Sequence, residues 1–82
     1  MTKFDGTEYL SKIERINDEH LKAGKRWYMS HEFVPIQDGP TMYKITLTSE
    51  IYGSVSWLEP LTGDIEDVHD RAVFKALSLF GY

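Results

Sequence analysis

Three histidines and a run of carboxylates are the residues of this chain whose types suit chemistry. His20 and His69 fall on the apolar faces of two helical stretches, and His31 falls on an inward strand position, so all three point to one interior. Imidazoles gathered in this way can hold zinc, but their spacing matches no ligand motif and no cysteine completes a set. The expectation is no metal and no cofactor, with hydrogen-bonded imidazoles at the margins of a core. His69-Asp70 near several serines has the residue types of a hydrolytic triad. Neighbours on a helix diverge by about 100°, however, so the pair is no relay. Asp64, Glu66, Asp67 and Asp70 can attract Mg2+ or a basic partner; at a helix start they also balance the dipole. The six glycines are scattered at turns and caps and form no phosphate-binding loop. No catalytic set assembles, so the chain reads as a non-enzyme.

Composition narrows the field further. Eighty-two residues make a single domain, 1–82, which buries only about 60% of its unfolded surface. Without cysteine there is no disulfide framework, and the fold depends on packing. The N-terminus lacks the apolar core of a signal peptide, and no apolar run approaches the ~20 residues that span a bilayer. These features lead to the expectation of a soluble, cytoplasmic protein with no membrane partner. Thirteen acidic against nine basic residues leave a net charge of −4, which argues against a general nucleic-acid binder.

The elements that must position these residues follow from periodicity. Over 64–81, Ile65, Val68, His69, Ala72, Val73, Ala76, Leu79 and Phe80 share one helical face, with Asp64 as N-cap and Gly81 as a left-handed closing residue. Pro60-Leu61-Thr62-Gly63 is also good hairpin chemistry, so that helix can equally begin near His69. Asp5 with Glu8 has the form of a capping box, and Phe4 with Tyr9 that of a hydrophobic staple. They open a first helix with Tyr9, Ile13, Ile16 and His20 inward and Gly24 at its end. Alternation marks three strands. In 27–36, Trp27, Met29, His31 and Phe33 face inward; in 41–48, Tyr43, Ile45 and Leu47; in 51–58, Ile51, Val55 and Trp57. Pro35 marks a strand end or an edge. Gly53 is either a bulge within the third strand or part of the turn before it. The fold class is α+β: a two-layer α-β-β-β-α chain, a three-stranded antiparallel meander with both helices on one face.

That order resembles the double-stranded-RNA-binding class of folds, with Gly39-Pro40 before a strand and Ala72, Ala76 and Leu77 in the last helix at matching places. The family opens its last helix with phosphate-gripping lysines. This chain has Asp64, Glu66, Asp67 and Asp70 there, so RNA binding does not carry over. Ala76-Leu77-Ser78-Leu79-Phe80-Gly81 is also similar to the helix end of phage single-strand-annealing proteins, the ERF family among them. The resemblance implies a phage or mobile-element protein.

With both helices on one side, the sheet's other face shows Tyr28, Met42, Lys44, Tyr52 and Leu58 among small polar residues, a bare surface for a monomer. The binding surface expected is Tyr28, Met42, Tyr52 and Leu58, with Phe74, Asp67 and Asp70 as a second patch. The expected partner is another protein, or a second copy through the open face. The alternative is a single-stranded nucleic-acid binder using Lys22, Lys25, Arg26 and Lys44 beside Tyr28.

Overall fold

Caps and alternation resolve into five elements in the computed structural model, which describes residues 6–82. They are α1 (Gly6–Ala23), β1 (Trp27–Val34), β2 (Met42–Ser49), β3 (Gly53–Pro60) and α2 (Ile65–Leu79). The strands form one antiparallel meander in the order β1-β2-β3. Ile16 of α1 and Val68, Ala72, Val73, Ala76 and Leu77 of α2 close over Tyr43, Ile45 and Leu47 of the central strand. Both helices therefore serve one face of the sheet, and the fold is α+β. The capping box at Asp5 and the staple at Phe4 lie outside the described residues.

Both helices end in the same way. After α2, Gly81 takes a φ of 97°, its N–H donates to the Ser78 carbonyl at 3.0 Å, and the Tyr82 N–H reaches back to the Leu77 carbonyl at 3.2 Å. After α1, Gly24 takes a φ of 68°, with Gly24 N–H to Leu21 and Lys25 N–H to His20. These are Schellman closures, and glycine supplies the left-handed residue each requires. At the start of α2, Asp64 accepts from the Glu66 N–H at 3.0 Å. That cap settles the start of the helix at Ile65, not His69.

The register pairs Trp27 with Ser49 and Phe33 with Tyr43 on one side, and Tyr43 with Glu59 and Leu47 with Val55 on the other. Glu50 N–H donates to the Arg26 carbonyl, and Leu61 N–H to the Thr41 carbonyl. Antiparallel ladders alternate, so these bonds fix the rest. Tyr28, Ser30, Glu32 and Val34 bond to β2, while the main-chain groups of Met29, His31 and Phe33 point off the sheet. On β3 it is Ser54, Ser56, Leu58 and Pro60 that point off. Pro35 and Pro60 thus stand where a missing N–H costs no ladder bond and blunts an open edge. Gly53, with a φ of 90°, belongs to the turn: Glu50, Ile51 and Tyr52 form the loop, and the strand begins at Gly53. Ser49 Oγ accepts both the Ile51 and the Tyr52 N–H at 3.0 Å, holding that loop.

α2 is rotated from the sequence-based expectation. Leu77 is fully buried, while Leu79 is 52% exposed and Ile65 is exposed as well. The helix is covered on two sides, by the sheet and by α1, so its buried arc shifts toward Leu77. A helix about 10 Å wide spans roughly two strand spacings of about 4.8 Å, and α2 lies over β2 and β3. α1 packs on α2 and meets β1 at one end, where Trp27 Nε1 donates to Asn17 Oδ1 at 2.7 Å. Phe33, expected in the core, is 52% exposed in consequence. Replacing Leu77 with alanine should cost about 2–5 kcal/mol in urea-induced unfolding, whereas Leu79→Ala should stay within about 0.5 kcal/mol.

Candidate functional site

The outer face of the sheet follows from the register. Across it run Tyr28–Thr48–Ser54, Ser30–Thr46–Ser56, Glu32–Lys44–Leu58 and Val34–Met42–Pro60. Tyr28 on β1 is 62% exposed and Leu58 on β3 is 47% exposed, with half-buried Met42 between the edges. The charges on this face answer each other, Lys44 lying 3.6 Å from Glu32. The hydroxyls do likewise, Thr46 with Ser56 at 3.0 Å and Ser54 with Thr48 at 3.3 Å.

Tyr52 does not belong to this face. Because the chain turns at Glu50–Tyr52, the Tyr52 side chain swings to the helical side, where its hydroxyl donates to Glu19 Oε2 at 2.6 Å. Its ring packs against Phe80 at 5.5 Å and Tyr82 at 6.1 Å between centroids. The Tyr82 hydroxyl donates to the other Glu19 oxygen, and Arg15 lies over the Tyr82 ring. One carboxylate on α1 thereby ties the β2–β3 turn to the end of α2. These two bonds, from Tyr52 and then Tyr82, hold the Glu19 carboxyl below its ordinary range. Burial first, then the bond to Glu19, pushes the Tyr82 hydroxyl up.

Phe74 is also no free surface group. It is half-buried on the side of α2 that meets α1, with Lys12 Nζ 4.8 Å from its ring centre. Lys12 itself is buried, donating to Ser78 Oγ at 3.4 Å and to the Tyr82 backbone oxygen. A lysine at a helix–helix contact gave no apolar signal in the sequence; its spacing, four residues before Ile16 and eight before His20, is the only trace. Asp67 is exposed and Asp70 half-buried at the start of α2. Of the four basic residues, Lys22 is held by Asp18 at 3.0 Å and Lys44 by Glu32. Lys25 and Arg26 are exposed in the loop before β1, where the Glu50 carboxylate takes the Arg26 N–H at 2.6 Å.

The three histidines are kept apart. His20 is buried, and since a carbonyl only accepts, its Nδ1 carries the proton donated to Ile16 at 2.7 Å. Nε2 then accepts from Ser49 Oγ at 2.6 Å, the same oxygen that holds the turn. His69 Nδ1 meets the Tyr43 hydroxyl at 2.6 Å. His31 stacks on Tyr43 with centroids 5.7 Å apart and planes 18° from parallel. Among the described residues, no three of His, Cys, Asp and Glu are grouped to hold a metal ion. No described helix is long and apolar enough to cross a membrane.

A second opening lies on the helical side, where neither helix covers β1. A cavity of about 320 Å³ is lined by Tyr43, Ile65, Glu66, His69 and Asp70. Phe33 abuts the same Tyr43 ring edge-on at 5.6 Å. Burial, reinforced by the nearby Asp70 charge, pushes the Tyr9 hydroxyl up. Sequence reasoning placed Phe33 in the core and so missed this cleft.

Comparison with protein families, with curated proteins and with solved structures finds no match to the chain.

The Glu19 clasp has a pH signature. Its carboxyl, near 4.5 when unfolded, is lower when folded. Its stabilisation is therefore complete above about pH 4.5 and fades as pH falls through the lower folded value. Thermal melts should show Glu19→Gln less stable than the parent at pH 7, with the two curves converging in acid. A gap that persists undiminished at the lowest pH would show that the carboxylate is not what holds the two tyrosines.

Proposed function

We propose that this chain is a small non-catalytic protein-binding domain, accessory or inhibitor-like, that docks on a partner protein through the outer face of its sheet. The observation that supports it best is the exposure of Tyr28 and Leu58 on opposite edge strands of a face whose charged pair, and whose Thr46, Ser56, Thr48 and Ser54 hydroxyls, already satisfy one another. A partner can dry such a face without stranding an unpaired charge, and tyrosine with apolar neighbours is common at interface centres. Single-stranded nucleic acid is the weaker reading. Two of its four cations are already matched by carboxylates, so few counterions remain to be released.

A photo-crosslinking residue placed at position 28 or 58, with position 21 on the outer side of α1 as control, tests this in an extract of the native host. The expected result is one discrete adduct with another protein from 28 and 58 and none from 21. An adduct with a second copy would assign the face to self-association. Oligonucleotide binding at low salt that vanishes in Lys25→Glu/Arg26→Glu would favour the alternative.

A further inference from the structure

The uncovered half of β1 joins three features that the outer face lacks. The main-chain groups of Met29, His31 and Phe33 point off the sheet, as the Arg26–Glu50 bond and the register require. The side chains of His31 and Phe33 lie exposed on the helical side and lean on Tyr43, stacked and edge-on respectively. Beyond Tyr43 the cavity opens between sheet and helix, with Ile65 on its apolar wall and Glu66 and Asp70 on its acidic one. Among the described residues no cation lines it, and Arg71, one residue on, is turned to Glu59 at 3.9 Å.

We propose that this cleft is a docking groove for an extended, basic segment of another protein, which adds to the sheet as a fourth strand along β1. The free N–H and C=O groups supply main-chain bonds, as an open sheet edge does for any added strand. Alternate side chains of the segment then fall on the helical side. The stem of a lysine or arginine crosses the exposed ring of Phe33, and its charged end reaches toward Glu66 and Asp70. Charge decides the occupant. The chain carries −4 overall and the described lining of the groove two carboxylates, so a second copy brings like charge whereas a basic strand brings the missing sign. The groove lies on the opposite side of the sheet from Tyr28 and Leu58, and the proposal stands whether or not that face docks a partner.

The test uses the full 82-residue chain, isotopically labelled, and blocked eight-residue peptides alternating valine with lysine or valine with glutamate. The lysine peptide should shift the amide signals of Met29, His31 and Phe33 and the ring signals of His69, and the glutamate peptide should not. Affinity should fall about fivefold or more in Glu66→Gln/Asp70→Asn, which leaves the core untouched. Phe33→Asp should weaken it as well, with an unchanged fold in the same spectra. Equal binding of both peptides, shifts confined to Tyr28 and Leu58, or no binding at millimolar lysine peptide would each overturn the proposal. So would self-association without peptide that Phe33→Asp abolishes.

Discussion

The width of a helix governs this structure. One helix covers about two strands, and α2 spends its apolar arc on β2 and β3, where Ile45 and Leu47 are fully buried beneath it. β1 is left to α1, which approaches at the Trp27 end and leaves His31 and Phe33 uncovered. The same sheet is therefore open in two places for two reasons. Its outer face is bare because both helices lie on the other side. The far half of β1 is bare because α1 is anchored at the other end of the strand.

α1 is anchored by a short apolar stripe and by a set of polar ties. Ile16 is its one fully buried aliphatic side chain, with Tyr9 and Ile13 half-buried against the same core; its other ties run through His20, Lys12, Asn17 and Glu19. Each reaches a different element: His20 the end of β2, Asn17 the start of β1, Lys12 the end of α2, and Glu19 both the turn and Tyr82. Asn17 and Glu19 are exposed, whereas His20 and Lys12 are buried. Buried polar groups are stabilising only when every member is satisfied, and no buried side-chain nitrogen or oxygen among the described residues lacks a partner. Ser49 shows how closely the system is coupled, since one hydroxyl donates to His20 and accepts two turn N–H groups. The Asn17 tie holds α1 to the start of β1, and the helix does not spread over the rest of that strand.

The fold was legible because its signals are local. Alternation in Tyr43-Lys44-Ile45-Thr46-Leu47, the Asp64 cap and the closing Gly24 and Gly81 each specify an element with no reference to the others. The candidate surfaces were legible only in part. Tyr28 and Leu58 follow from strand parity, but Tyr52 depended on whether Gly53 lay in the strand or the turn, a choice settled by Ser49 gripping the loop. Phe33 and Phe74 exchanged roles for a tertiary reason. Periodicity states which residues share a face and says nothing about where a neighbouring helix stops. Lys12 was invisible for a related cause, since a charged side chain at a helix contact is recognised only by its partners.

The central claim is that β1 is an open edge whose free groups belong to Met29, His31 and Phe33. Amide hydrogen exchange followed residue by residue measures this most directly. Fast exchange at Met29, His31 and Phe33, alternating with slow exchange at Tyr28, Ser30 and Glu32, is the predicted result. Equal protection along the whole strand would mean that the edge is already covered, and would contradict the account.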